Sequence, residues 1–405
     1  MFDRRTRRIV NAPFETFSSL SDRVEQMSIS DRLKRMKDLG TSPGTGGAPT
    51  VGADALRTLE IPGWDRSGDF LMARDIAEPA LIGTRFDSRI ASLADQESNR
   101  LCFIDTETTG LSTGAGSLAF LFGVGTIAGE SFVVKQIFLL DYPGEVDFLD
   151  AIEEALPVDP IFVSYNGSSF DLPLLRSRFA LKRRMFPTGT QIDLLHVARR
   201  FWQRKIGSCS LTDIEREIFE IERVGDIPGS EIPDRYFEFL RVGEPSLLDL
   251  VFDHHHKDIT TLQRLFVHCE EQLCEPIRAD IDHHRVGNWL LRRGDRSGRS
   301  LLQLAFDSGN ARAGLDLASI LRRDGDYDGS FRIWDKMWQE GANPIAGVEM
   351  AKYWEHRRRE YRNAIDLVEK ILVDPRTLKA PERRPYSRVS LHHRRKRLLR
   401  RVGLE

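Results

Sequence analysis

A chain of 405 residues has room for two or three domains, and its 40% apolar content is enough to build real cores. The formal net charge of −2 points to no class of partner, but it is unevenly spread: from Arg376 onward there are eleven Lys/Arg against two Asp/Glu. Four cysteines without a CxxC pair argue against a disulfide scaffold, and no apolar run approaches the roughly 20 residues that span a bilayer. No apolar stretch of the secretory kind follows the basic N-terminus, so a cytoplasmic protein with no membrane partner is expected.

Residues 1–60 read as an N-terminal extension, partly disordered. Val24, Met27, Ile29, Leu33 and Met36 fall near one stripe of a helix over Leu20–Leu39, and the Gly-, Pro- and Ser-rich stretch Gly40–Gly52 reads as a linker. A lead-in over 61–94 holds one strand at Phe70–Ala73. The pattern then becomes α/β over 95–275. Strands are expected at Leu101–Asp105, Leu118–Ile127, Ser131–Leu140 and Ile161–Tyr165, the middle two joined as a hairpin by Ala128-Gly129. Helices are expected over Val146–Leu156, Leu172–Leu181, Asp193–Trp202, Leu211–Phe219, Arg235–Leu240 and Leu247–Cys274. Beyond Arg278 only helical segments remain. An offset of 34 pairs Tyr327 with Tyr361, Ser330 with Ala364, Ile333 with Leu367, Trp334 with Val368 and Trp338 with Leu372. That period is the tetratricopeptide one, in which stacked helix pairs share a continuous core. The expected layout is therefore a tetratricopeptide-like region over 276–375 and a basic tail over 376–405.

The chemistry-bearing stretch is Leu101-Cys-Phe-Ile-Asp105-Thr-Glu107. An apolar strand runs into two acids spaced i, i+2, which share one face of a strand. Buried like charges are costly unless a cation holds them, and hard oxygen ligands suit Mg²⁺ or Mn²⁺. Asp171 follows the next apolar strand and opens a helix; Asp258 lies in a later helix, with His254 four residues earlier on the same face. For Asp171 a helix N-cap is the competing reading, and for Asp193 a helix N-cap competes with an outer-shell acid. The run His254-His255-His256, with Cys269, Cys274, His283 and His284 downstream, lacks the spacing of a structural zinc site. The glycines between Gly110 and Gly116 lack the Gly-Lys-Ser/Thr ending of a Walker loop. Two basic clusters, Lys182-Arg183-Arg184 and Arg394–Arg401, read equally as phosphate contacts or as solvated helix ends.

In this order the acids resemble the DEDD exonucleases of the ribonuclease H-like superfamily. There the first motif is a strand ending in DxE (Asp105, Glu107), the second an Asp after an apolar strand (Asp171), and the third an Asp preceded by a Tyr at four residues or a His at five (Asp258). Here the spacing is four and the residue is His254. With the helical region included, roughly residues 65–375 resemble the bacterial YprB-type family, and Asp226-Ile-Pro-Gly-Ser-Glu-Ile-Pro-Asp-Arg-Tyr-Phe237 looks like that family's insert between the second and third motifs.

The resemblance implies an α/β, ribonuclease H-like mixed sheet flanked by helices, followed by an all-α repeat region. It implies a 3′→5′ exonuclease acting on single-stranded DNA or RNA with two Mg²⁺ or Mn²⁺ ions on Asp105, Glu107, Asp171 and Asp258. On the residues themselves, His254 would serve as general base, Thr108 or Asn166 would bond the nucleic acid or orient a ligand, and the repeats would bind a protein partner or guide the nucleic acid. The rival expectation is a non-catalytic scaffold that binds nucleic acid or protein through the repeats.

Overall fold

The computed structural model describes residues 51–110, 116–277 and 279–404. The expected helix at Leu20–Leu39, nearly all of the linker, and the middle of the Gly110–Gly116 run lie outside these residues. Among the described residues nine strands are present: β1 (Asp65–Gly68), β2 (Leu71–Pro79), β3 (Arg85–Ser88), β4 (Leu93–Glu97), β5 (Leu101–Thr108), β6 (Ala119–Ala128), β7 (Ser131–Leu139), β8 (Ile161–Ser164) and β9 (Thr190–Asp193). Seven form one mixed sheet in the order β1-β2-β7-β6-β5-β8-β9, and β3 and β4 form a separate hairpin. Pairing is antiparallel from β1 through β5 and parallel from β5 to β9.

The sheet reaches into the lead-in. β2 runs nine residues against the whole of β7, where only Phe70–Ala73 was expected. Its second half carries Arg74, Asp75 and Glu78 in half-buried or exposed positions, so apolar content marked only its start. β9 was not expected as a strand: Ile192 is its one buried side chain, and pairing to β8 rather than apolar content makes it extended.

β5 is buried on both faces, as central strands of such sheets are. Cys102 and Ile104 enter the core beneath α1 (Glu145–Ala155), α2 (Asp171–Leu181) and the helix Ile232–Val242, whereas Leu101 and Phe103 enter the opposite core. That second core lies beneath α3 (Leu194–Phe201), α4 (Leu211–Ile218) and the long α6 (Asp249–Cys274); α5 is the intervening Ile232–Val242. With 26 residues, α6 is about 39 Å long and packs on β5, β6, β7 and β8.

The chain ends in packed helices: α7 (His283–Arg292), α8 (Gly298–Asp307), α9 (Ala311–Arg323), α10 (Tyr327–Gly341), α11 (Pro344–Tyr353), α12 (Tyr361–Leu372) and α13 (Arg388–Arg401). Each of α7 to α12 packs on the next, and α12 packs on α13. The 34-residue offset relates α10 to α12: both open at the paired tyrosines, and Ser330, Ile333, Trp334, Ala364, Leu367 and Val368 are all buried. The sheet core does not stop at residue 275, because Val286, Trp289 and Leu290 of α7 continue it.

Candidate active site

The alternation that buries Leu101 and Phe103 carries Asp105 and Glu107 onto the same face, towards α6. A register shift in the β5–β6 ladder falls just after Glu107, beyond the point where β5 was expected to end. Such bulges bend a strand and re-aim its side chains.

What brings α6 to these acids is glycine. Gly123 is the cross-strand partner of Asp105, and a Cβ there would lie 2.1 Å from Ile259 Cδ1 and 2.4 Å from His255 Cε1. Backbone without a side chain lets the helix lie directly on β6. His255, fully buried, then donates from Nε2 to the Asp105 carbonyl at 3.1 Å. Its Nδ1 accepts from Gln136 Nε2 at 2.8 Å, so both ring nitrogens are used. Burial pushes the His255 imidazole down to about 3 and keeps it neutral. His255 is a peg between helix and sheet. Three residues further on, α6 delivers Asp258.

Asp171 is the first residue of α2, not its cap: the N-cap is Phe170, which makes no side-chain bond. Its Oδ1 accepts from Thr106 Oγ1 at 2.5 Å, tying the start of α2 to β5 between the two acids. Asp105, Glu107, Asp171 and Asp258 are thus near enough for their charges to repel one another. Burial pushes the carboxyls of Asp105 and Glu107 well above the usual range, and repulsion from Asp258 and Asp171 adds to it. Asp171 is pushed up to about 6 by burial, opposed by its bond from Thr106. Burial also raises Asp258, against the pull of His254 and Arg223.

His254 sits at the rim of this cluster. Its Nδ1 is 2.9 Å from Asp226 Oδ2 and its Nε2 is 3.6 Å from Asp258 Oδ2. Despite burial, His254 and Arg223 hold Asp226 below its ordinary value, so the carboxylate is charged and the proton sits on Nδ1. His254, not His255, leaves a ring nitrogen facing the acids.

Sequence reasoning missed Arg223. It is almost fully buried, with Nε 2.5 Å and Nη2 2.7 Å from the two oxygens of Glu215, Nη1 3.2 Å from Asp226 and Nη2 2.6 Å from Asp258 Oδ1. Thr261 of α6 also donates to Glu215. Arg223, Glu215, Asp226 and His254 line a hollow of about 450 Å³. Arg223 lies in a short segment without apolar period, so no pattern marks it. Asp226 was visible only as the start of the stretch that resembles the family insert.

The other expected residues are placed differently. Asp193 caps α3 through Leu195 N–H and also accepts from the backbone N–H groups of Asn166 and Ser168, so it organises the loop before Asp171. Asn166 adopts a left-handed conformation there, at φ 64°. The Thr108 hydroxyl donates to the Gly110 carbonyl.

Whether cations suit the cluster is a question of donor chemistry. Four carboxylates held away from water offer hard oxygen atoms. Asp258 Oδ1 is buried and, though close to Arg223, has no hydrogen bond of proper geometry. The donors fit Mg²⁺ or Mn²⁺ in kind. Among the described residues no group of three or more His, Cys, Asp or Glu side chains is gathered into a ready metal site, so the carboxylates must turn inward to share an ion.

Residues 102–270 match RNase_H_2, a family of the RNase H superfamily. Residues 102–270, with the acids, are therefore an RNase H superfamily domain. Across 310 residues the chain is 31% identical to "Uncharacterized protein YprB" of Bacillus subtilis (strain 168), a match that covers 73% of this chain and 74% of that protein. The chain belongs to the YprB family. No described helix is long and apolar enough to cross a membrane.

Proposed function

We propose that the protein is a divalent-metal-dependent nuclease of the DEDD type that hydrolyses phosphodiester bonds as a 3′→5′ exonuclease on single-stranded DNA or RNA. The observation that carries this reading is that β5, α2 and α6 bring Asp105, Glu107, Asp171 and Asp258 near enough to repel one another, with Arg223 paired to Asp258 alone among them. These four side chains would hold two Mg²⁺ or Mn²⁺ ions. When bound, such ions supply an activated water and neutralise the leaving oxygen. Asp226 fixes the tautomer of His254, and His254 Nε2 accepts the proton of the attacking water. The peg at His255 holds α6 in register on the sheet. Arg223 holds the Asp258 carboxylate by an ion pair from the side of Glu215 and Asp226. Asn166 and Thr108 lie at the ends of β8 and β5, where a strand of nucleic acid would pass.

The Arg223–Asp258 pair favours a second reading, in which the domain grips nucleic acid without cutting it and the helical region serves as a scaffold for a protein partner. The two part on hydrolysis of single-stranded DNA and RNA, labelled at either end, with Mg²⁺ or Mn²⁺. Native protein should shorten the strands from the 3′ end. Asp105→Ala should abolish this, and His254→Ala should slow it about 10²–10⁴-fold, more than His255→Ala in whatever fraction stays folded. Equal turnover by Asp105→Ala and native protein would sink the enzymatic reading.

A further inference from the structure

The C-terminal helix α13 is the most basic element among the described residues, and the structure sorts its cations into two sets. The inner set is structural. Arg394 Nη1 and Arg397 Nη2 lie 2.5 and 2.8 Å from the Glu355 carboxylate, and Arg395 Nε lies 2.8 Å from Glu369. Leu391 and Leu398 are fully buried against the preceding helices. The outer set is Arg388, His392 and Lys396, recurring every four residues, with Arg401 at the end. All four are exposed, and none pairs with an acid among the described residues. Spacing of four residues places Arg388, His392 and Lys396 on one helical stripe, whereas Arg401, five residues past Lys396, lies off it at the end of the helix next to Val402.

A second basic element meets the C-terminal end of α13 at Val402. α11 ends in a π-turn, Trp354–Arg358, followed by Arg359 in the left-handed region at φ 57°. A non-glycine residue there is strained, and the turn exposes His356, Arg357, Arg358 and Arg359 together. Arg359, Tyr361, Arg362, Asn363 and Glu360 meet Val402, just past the end of α13, around a shallow hollow of about 400 Å³. Glu360, the one acid in it, is bonded to Asn363 at 2.6 Å. Arg359 and Arg362 are exposed and pair with none of the described residues.

We infer that this face, the outer stripe of α13 together with Arg359 and Arg362, is a docking surface for the phosphate backbone of nucleic acid. It rests on the nuclease reading for its choice of ligand and adds where the strand is held. Charge complementarity carries the argument. Residues 1–375 hold 48 Lys/Arg against 59 Asp/Glu, so most of the chain repels a polyanion and this end attracts one. With 14 residues, α13 is about 21 Å long, and that length of duplex carries about a dozen phosphates. An anionic membrane surface fits less well. A helix that lies in a bilayer interface needs a free apolar face, and that of α13 is buried in the protein.

The test is fluorescence anisotropy of a labelled 20-mer, single-stranded and duplex, with the full-length protein in EDTA so that no hydrolysis occurs. Native protein is compared with Arg359→Asn/Arg362→Gln/Lys396→Gln/Arg401→Gln. The variant should bind about tenfold or more weakly at about 50 mM salt, and the slope of log affinity against log salt should fall by about three. Because asparagine tolerates the left-handed conformation, the turn is kept; Arg388→Gln/Lys396→Gln/Arg401→Gln leaves the turn untouched and should show a slope loss of about two. Unchanged affinity and slope in both variants would overturn the inference. So would native binding to oligonucleotide combined with lost co-sedimentation on phosphatidylserine vesicles. Neither result depends on whether Asp105 and its neighbours cut, so this inference and the nuclease reading fail separately.

Discussion

Replacing Asp105 by Asn should stabilise the metal-free protein. In the same group of acids, the Asp171 carboxyl is pushed from 3.8 to about 6, and at about 1.4 kcal/mol per unit that group alone costs the fold on the order of 3 kcal/mol at pH 7. The sign follows from the direction of the shift. A carboxyl with a raised folded-state pKa costs nothing while protonated in both states, and its penalty grows as pH rises from the unfolded value to the folded one. Asp105 is raised by burial and by three acids, Asp258, Asp171 and Glu107. Its side chain gives up little on becoming an amide, since His255 Nε2 is 3.8 Å from Oδ2 and is bonded to the carbonyl instead. After relaxation the expected gain is about 1–2 kcal/mol, a rise in Tm of about 1–3 °C for a chain of this length. The advantage should shrink as pH is lowered from 7 towards 4.5, where the native carboxyls take up protons. Mn²⁺ at about a hundred times its Kd should stabilise native protein by about 2.7 kcal/mol and the variant far less. Differential scanning fluorimetry in EDTA and in Mn²⁺, at both pH values, reads all of this. A lower Tm for the metal-free variant, or a Mn²⁺ shift of native size in it, would refute the reasoning.

Two further outcomes follow from the packing. Gly123→Ala drives a methyl group into Ile259 and His255, so it should cost about 1–3 kcal/mol in urea denaturation and lower turnover with it; a neutral result would mean that α6 does not depend on that contact. Arg223→Gln strips Glu215 and Asp258 of their buried partner and should cost about 3–5 kcal/mol by the same assay; a loss under about 1 kcal/mol would show that the guanidinium is not what holds them.

The acids were legible in the sequence because two like charges on one face of a buried strand are hard to accommodate without a cation. The order of Asp171 and Asp258 could be read because each sits at a break or on a face that local periodicity defines. Gly123 and Gly125 offered a signal that was passed over: two glycines in an apolar strand mark a close backbone approach, and here they mark where α6 crosses. Arg223, Glu215 and Asp226 carried no such signal. Their association is long-range, made by a segment with no period of its own, and a charged residue in such a segment normally faces water. Gln136 gave a weak hint, as a polar side chain fully buried in β7. Its role as the partner of His255 needed the register of β7 against β6 and the position of α6, neither of which one strand encodes. The short strands β1, β3, β4 and β9 were hidden for a related reason: they are edge or hairpin strands with at most one buried side chain each, extended because a neighbour pairs with them.

Taken together, the charges of this chain are arranged against each other. The proposed centre is a cluster of carboxylates that repels the phosphodiester it would cleave, and the guanidinium of Arg223 compensates only its Asp258 side. Glu215 and Asp226 absorb most of that one positive charge. Coulomb repulsion among Asp105, Glu107 and Asp171 therefore remains for bound cations to relieve, and it weighs against the folded site until they do. The sheet, the α6 helix and the glycine contact supply the packing that offsets it. At the other end of the chain the inner arginines of α13 are neutralised by Glu355 and Glu369, which leaves the outer ones for a polyanion. A strand attracted by that face would still meet repulsion at the acids until cations arrive with it. If both proposals hold, affinity and chemistry belong to different parts of the molecule, one to an exposed basic stripe and the other to buried acids on β5, α2 and α6.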